Sequence, residues 1–412
     1  MNILIITPYL PYPLNSGGAQ GVFNMIEHLR SKHQFTMIIN EGGQNNKENL
    51  LALRKLWPDV DIRYYSFRHQ MMCPSFLYEK TRRVLLRFIA PNSRRLMIET
   101  ALRPYGEWFS RHHVDFVHKV IAEKKIDMVE VNFMESISWV NHLPDNVKKV
   151  FIHHELGFVR KERLLSNLQL NARERQLNAR ERQMLAKAKA AEFADLEKYD
   201  AVVTVTDTDK KILEREGLSV PVYTSNSAVN TQSFPYSETP GNLTFIGGYG
   251  HLPNVEGIDW FVGKVAPLLQ GKGLTLNIIG RGWPEAYNAH GDVNVCLKGF
   301  VENLSDVALG SIMIVPILSG SGMRMKILEA AAMSLPMVTT TVGVEGLDFV
   351  DGESCIVADT PEDYAKAIIR LSEDHDFRRM LGENANKVFE QKYSVSKLVE
   401  NRDRIYNEIM NY

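Results

Sequence analysis

The sequence predicts an α/β protein made of two doubly wound parallel-sheet domains. Short runs rich in Ile and Val alternate with longer amphipathic segments, the pattern of parallel strands covered on both faces by helices. Eleven such runs occur in 412 residues, more than one ordinary sheet or core holds. They fall into two groups separated by "GLSVPVYTSNSAVNTQSFPYSETPG", a stretch rich in Pro, Ser, Thr and Asn.

The first group is "NILIIT", "FTMIIN", "IDMVEVN", "KKVFIHH" and "DAVVTVT". The second is "NLTFIGG", "LTLNIIG", "VNVCLKG", "SIMIVPI", "LPMVTTT" and "ESCIVAD". A linker is expected near Pro221 to Gly241, with one domain over residues 1–221 and another over 222–395. "SVSKLVENRDRIYNEIMNY" reads as a terminal amphipathic helix over 396–412. "QLNARERQLNARERQ", from Gln169 to Gln183, repeats a seven-residue unit with few apolar positions and reads as an exposed helix.

With 44% hydrophobic and 24% charged residues, the composition is that of a soluble globular protein. A formal net charge of −1 provides no overall field for nucleic acid or a membrane surface. Cys73, Cys296 and Cys355 lie far apart without metal-ligand spacing, which fits a reducing compartment and a cytoplasmic protein. "MNILIITPYLPYP" lacks a basic leader region and reads as a first strand, not a signal peptide. No window approaches eighteen uninterrupted apolar residues. One local asymmetry stands out. From Arg68 to Lys119, basic residues such as Arg82, Arg83, Arg87, Arg94 and Arg95 interleave with Leu85, Leu86, Phe88 and Trp108. Two readings stay open: ordinary surface helices, or a basic amphipathic face meeting anionic lipid headgroups at the inner side of a membrane.

The stretch "PILSGSGMRMKILEAAAMSLPMVTT" holds the sharpest functional signal. A buried strand gives way to the loop "LSGSG", and strong helix formers follow. Free N–H groups and the dipole at such a helix start favour a phosphate. Gly320 and Gly322 let backbone approach a ligand closely, Arg324 offers bidentate hydrogen bonds, and Lys326 adds a point charge. Glu329, on roughly the same helix face, suits paired ribose hydroxyls. Together they read as a nucleoside diphosphate site, although Gly-x-Gly alone is also what a plain loop would show.

Other stretches have the same strand–loop–helix form. "TPYLPYPLNSGGAQG" places Gly17 and Gly18 in a loop after the first strand, ahead of a helix starting near Ala19 or Gln20, a ligand-side loop or a plain strand–helix connection. "FIHHELG" places His153, His154 and Glu155 at a strand end, where a histidine either bonds substrate hydroxyls or serves the structure alone. "TFIGGYGHLPN" brings Gly247, Gly248 and Gly250 after the first strand of the second domain, with Asn254 ahead of a helix. In "CLKGFVENL", Gly299, Phe300 and Val301 leave a strand, and two readings stay open: backbone that pairs with a base edge, or only a turn.

This combination resembles the retaining GT-B glycosyltransferases of family four, the group 1 glycosyltransferases. The matching run covers "FIGGYGHLPNVEGIDWF", "LKGFVENL", "VPILSGSGMRMKILEAAAMSLPMVTTTVGVEGL", "GESCIVADTPEDYAKAI" and "FRRMLGENANKVFEQKYS". A looser match covers "MNILIITPYLPYP", "GGAQ", "HHE" and "DAVVTVTDTDKKIL". The resemblance implies two Rossmann-like domains facing across a cleft, the first binding acceptor and the second nucleotide sugar, with the last helix returning to the first domain. It implies transfer of a sugar from a nucleoside diphosphate to a glycan or lipid-linked acceptor with retained anomeric configuration, and no cofactor or metal. Glu329 matches the ribose-binding second glutamate of the E-x7-E pattern. Ser321 stands where the first is expected, and its N–H and that of Gly322 are candidates to take over. Arg324 and Lys326 would hold the diphosphate, in place of a basic pair that the relatives carry after "FIGG". Gly17 and Gly18 match the glycine loop near the diphosphate, and His154, or else His153, the histidine near the donor sugar. A GT-B epimerase or phosphorylase, and a non-catalytic nucleotide-sugar binder, remain alternatives.

Overall fold

The computed structural model describes residues 1–14, 17–40, 45–65, 81, 102, 109–170, 179–227, 229, 231–239, 241–289, 293–320 and 322–412. Most of the 68–119 basic stretch, residues 171–178 of the heptad repeat, and Ser321 lie outside them. The chain divides into two compact units, Met1–Ser227 with Leu398–Tyr412, and Ala228–Lys397.

The first unit runs β1 (Asn2–Ile6), α1 (Gly17–Leu29), β2 (Gln34–Asn40), α2 (Lys47–Leu56), β3 (Asp61–Tyr65), α3 (Arg111–Lys124), β4 (Met128–Asn132), a 3-10 helix (Met134–His142), β5 (Lys148–His153), α4 (Gly157–Leu170), α5 (Ala179–Leu196), β6 (Ala201–Thr204), α6 (Asp207–Arg215) and β7 (Val222–Thr224). These strands form one parallel sheet in the order β3-β2-β1-β4-β5-β6-β7. Ile3, Leu4 and Ile5 are wholly buried, as befits a strand covered on both faces. Ile6 pairs with Val131, and Asn132 with Ile152. The strands therefore end together, and Thr7, Phe133 and His154 leave the sheet along one edge.

The second unit runs β8 (Asn242–Ile246), α7 (Leu252–Trp260), β9 (Thr275–Ile279), β10 (Asn294–Gly299), α8 (Ser305–Ala308), β11 (Ile312–Val315), α9 (Met325–Ala332), β12 (Met337–Thr339), α10 (Thr341–Val344), β13 (Ile356–Val357), α11 (Pro361–Glu373) and α12 (His375–Lys392). Its parallel sheet has the order β10-β9-β8-β11-β12-β13. In both units strand order reverses beside the first strand, at β1/β4 and at β8/β11. Open α/β sheets bind ligands beyond the carboxyl ends at such a point.

Two strands exceed the eleven expected. β3, "DIRYY", carries Asp61 and Arg63 on one face and so is no continuous apolar run, tolerable at a sheet edge. β7 is three residues long and sits inside the stretch expected to be linker. Because β7 pairs with β6, the first unit extends to Ser227 rather than ending at Pro221. The second unit closes at Lys397 rather than 395.

The last helix, α13 (Val395–Asn411), buries Leu398, Arg402, Ile405, Tyr406 and Ile409, a stripe at helical spacing. Ile405, Tyr406 and Ile409 join the core of Ile3, Ile5, Met25 and Ile26. Asp403 meets Lys32 Nζ at 2.7 Å and His33 Nε2 at 3.0 Å. No described helix is long and apolar enough to cross a membrane. Because Ile405 is wholly buried, Ile405→Ala is expected to cost about 2–5 kcal/mol, read as an earlier denaturant transition for the first unit.

Candidate functional site

In the second unit, one turn of α7 braces the glycine loop that precedes α9. A Cβ on Gly257 would lie 2.2 Å from the Pro316 carbonyl oxygen, so the helix rests on backbone leaving β11. Ser319 Oγ donates to Glu256 Oε2 at 2.5 Å. Pro253 packs 3.4 Å from the Cβ position of Gly320. Asn254 Nδ2 donates to the Gly248 carbonyl at 2.9 Å, and its Oδ1 accepts from Lys326 Nζ at 2.7 Å. Asn254 thus lies within the first turn of α7, where it joins the ends of β8 and α9. Gly320 and Gly322 have φ of 101° and 76°, left-handed values that strain any other residue.

The charges singled out from the sequence converge here. Arg324 occupies the N-cap position of α9, which has no side-chain cap, and its Nη1 donates to the Gly322 carbonyl. Arg324 and Glu329 are both buried. The Lys326 ammonium lies 4.1 Å from the centre of the Phe245 ring. Burial lowers the Lys326 amine to about 7; Glu329 opposes that shift and Arg324 adds to it. The mutual influence puts all three charges in one neighbourhood. Gly248 follows β8, where Asn254 ties it to Lys326, and Phe300 follows β10 two strands away. Phe300 is exposed, with the Arg281 guanidinium 4.5 Å from its ring centre, and Arg281 backbone backs Gly248.

The first unit gathers a second set at β1/β4. Gly17 and Gly18 form the first turn of α1 rather than a loop before it, so the helix starts two or three residues earlier than expected. A Cβ on Gly18 would lie 2.8 Å from Phe133 Cε1. Phe133 takes a φ of 68°, rare for a non-glycine residue and concentrated at functional sites. Its ring stacks on His154 at 4.1 Å and 11°. His154 Nε2 lies 2.9 Å from Asn132 Oδ1. Burial, then Arg402 and His153, lower the His154 imidazole to about 3.

The two adjacent histidines have separate partners. His153 is wholly buried, with Nε2 3.0 Å from Glu192 Oε1, and Glu192 also accepts from the N–H groups of Gly157 and Phe158. Its environment is structural, whereas His154 sits past the strand end, stacked on the Phe133 ring that Gly18 backs. Arg281, Asn132 and Glu130 were not singled out from the sequence. Glu130 did carry a signal: a carboxylate in the middle of the apolar run "MVEV" must have a buried reason.

The family-model match falls in the second unit. Residues 240–374 match the family model described as Glycosyl transferases group 1. An uncharacterised 44.6 kDa protein of the cps region of Klebsiella pneumoniae is 26% identical over 170 residues, 38% of this chain and 44% of that protein. An uncharacterised glycosyltransferase of Methanocaldococcus jannaschii is 33% identical over 114 residues, 27% of this chain and 32% of that one. The match therefore spans less than half the length of either relative. The sucrose-phosphate synthase of Thermosynechococcus elongatus superposes with a TM-score of 0.68 at 16% identity, covering 100% of this chain and 99% of the other. Anabaena HepE, solved in complex with UDP-glucose, gives 0.67 at 11%, covering 99% and 100%.

If Asn254 holds the Lys326 charge, Asn254→Ala lowers stability by about 1–3 kcal/mol, and Lys326→Met in the same chain removes most of that cost. Denaturant unfolding of the single and double variants measures it. The fold is GT-B, two Rossmann-like parallel-sheet domains, and residues 240–374 match the family model of glycosyl transferases group 1.

Proposed function

We propose that the chain is a retaining glycosyltransferase of family four, moving a sugar from a nucleoside diphosphate donor to a glycan or lipid-linked acceptor without a cofactor. The observation that carries this is the Asn254–Lys326 clamp beside the Gly320–Gly322 loop and the uncapped start of α9, all inside the matched stretch. The UDP-glucose bound by the Anabaena protein supports the donor class.

In this reading the diphosphate lies at the start of α9, against Lys326, Arg324 and the N–H groups of Ser321 and Gly322. Negative charge grows on the β-phosphate as the sugar departs. Fixed cations and N–H groups then stabilise the transition state more than the ground state. Glu329 takes the ribose hydroxyls, Phe300 and Gly248 border the base, and Gly17, Gly18 and His154 act toward diphosphate and sugar. Arg324 would have to release the Gly322 carbonyl to reach phosphate, whereas Lys326 already meets a polar partner that an oxyanion can replace. Serine at 321 favours one second reading, a nucleotide-sugar binder without turnover.

A thermal-shift series with UDP-, GDP-, ADP- and CDP-sugars is expected to show one class raising the melting temperature by mass action. Arg324→Ala and Glu329→Ala should abolish that rise and slow transfer by about ten- to a thousand-fold. Folded variants with full activity would rule out the site. Donor bound tightly with no product from any acceptor mixture would favour the binder, and inverted product would exclude retention.

The Lys326 amine gives a second test. Its value near 7, against an ordinary 10.5, leaves it increasingly neutral above about 7 in the empty site. A bound phosphate favours the ammonium, so binding above that pH takes up a proton, and affinity falls as pH rises. Calorimetry at about pH 8, in buffers of different ionisation enthalpy, should find close to one proton taken up by the wild type and none by Lys326→Met.

A further inference from the structure

Behind His154 lies a buried polar chain whose far end belongs to α13. Glu130 is wholly buried within β4. Its Oε2 accepts from Arg402 Nη1 at 3.3 Å and from the Tyr406 hydroxyl. Arg402 Nε also donates to Ser225 Oγ at 2.9 Å. The other carboxylate oxygen, Oε1, accepts from Asn132 Nδ2 at 2.9 Å. Glu130 and Asn132 are two residues apart on β4 and so share one face of the sheet.

The chain has a direction. A carboxylate oxygen can only accept, so Asn132 must present its amino group to Glu130. That turns the Asn132 carbonyl toward His154 Nε2, 2.9 Å away. A carbonyl carries no proton, so Nε2 must supply it. A neutral imidazole with hydrogen on Nε2 has a bare lone pair on Nδ1. No described residue bonds Nδ1. The Phe133 stack, backed by Gly18, fixes the plane of the ring.

We propose that Glu130 and Asn132, anchored by Arg402 and Tyr406 of the C-terminal helix, are positioning residues that hold His154 as its Nε2–H tautomer, so that Nδ1 accepts a hydrogen bond from a hydroxyl of the donor sugar. The sugar contact rests on the function proposed above; the tautomer does not. Burial and the Arg402 charge keep the ring neutral and thus support the assignment. His153, the other titratable neighbour, is engaged by Glu192.

The test is nitrogen NMR of the full chain labelled at histidine, with the His154 signals identified by their loss in His154→Gln. The wild type should show the Nε2–H form at neutral pH. In Glu130→Gln, Arg402 and Tyr406 claim the new amide oxygen, and its amino group faces Asn132. Asn132 must then turn over and present N–H to His154, so the proton moves to Nδ1. That variant should show the Nδ1–H form and slower donor turnover by about ten-fold or more, while a nucleoside diphosphate still raises its melting temperature. An Nδ1–H wild type, or an unchanged tautomer in Glu130→Gln, overturns the proposal. Should Glu130→Gln not fold, Asn132→Leu removes the acceptor and should give a mixture of tautomers; a pure Nε2–H signal there overturns it equally. Failure of the transferase reading would appear elsewhere, as no donor binding or turnover with the tautomer intact.

Discussion

Parallel strands buried on both faces leave one outlet for polar chemistry, the line along which their carboxyl ends stop. Within β1, β8 and β11 the side chains are mostly enclosed, and a charge there needs a partner of its own. The residues that leave those strands can face a ligand while the sheet holds their backbone still. In the second unit this constraint brings together Gly248 after β8, Phe300 after β10 and the glycine loop after β11. In the first it brings together Gly18, Phe133 and His154. Helix α7 extends that rigidity past the sheet, because one turn of it touches Pro316, Ser319, Gly320 and Lys326.

The two cations at the start of α9 show how differently one burial environment treats Arg and Lys. A guanidinium keeps its charge and spends it on a carbonyl of its own loop. An ammonium can shed its proton, and burial presses Lys326 toward doing so. The Phe245 ring and Asn254 Oδ1 offset part of that cost without contributing a formal negative charge. The arrangement therefore keeps a net demand for an anion, whereas a carboxylate in place of Asn254 would have satisfied it internally.

Much of this was legible in the sequence. All six strands of the second sheet appear as apolar runs, and Gly320, Gly322, Arg324, Lys326 and Glu329 read as one site because loop, helix start and charges lie within ten residues. What is local in sequence could be read locally. The edge strand β3 and the short β7 could not, since their pairing is decided by neighbours rather than by their own composition. Nor could His153 be told from His154, which differ by Glu192 on one side and Asn132 on the other, residues far off in the chain. Asn254 was visible as a helix-start residue, but its tie to Lys326 spans 72 positions.

The first unit is discontinuous: its body is Met1–Ser227, and its closing piece is Leu398–Tyr412. On a ribosome the whole of Ala228–Lys397 emerges between those two pieces. For that interval the nascent sheet contains a Glu130 carboxylate whose guanidinium has not yet been made, and an apolar groove beside Ile3, Ile5 and Ile26 lacks its cover. The half begun first is thus the half completed last. A chaperone or a premature stop would meet the molecule in a state where the second half is already sound and the first still unlatched.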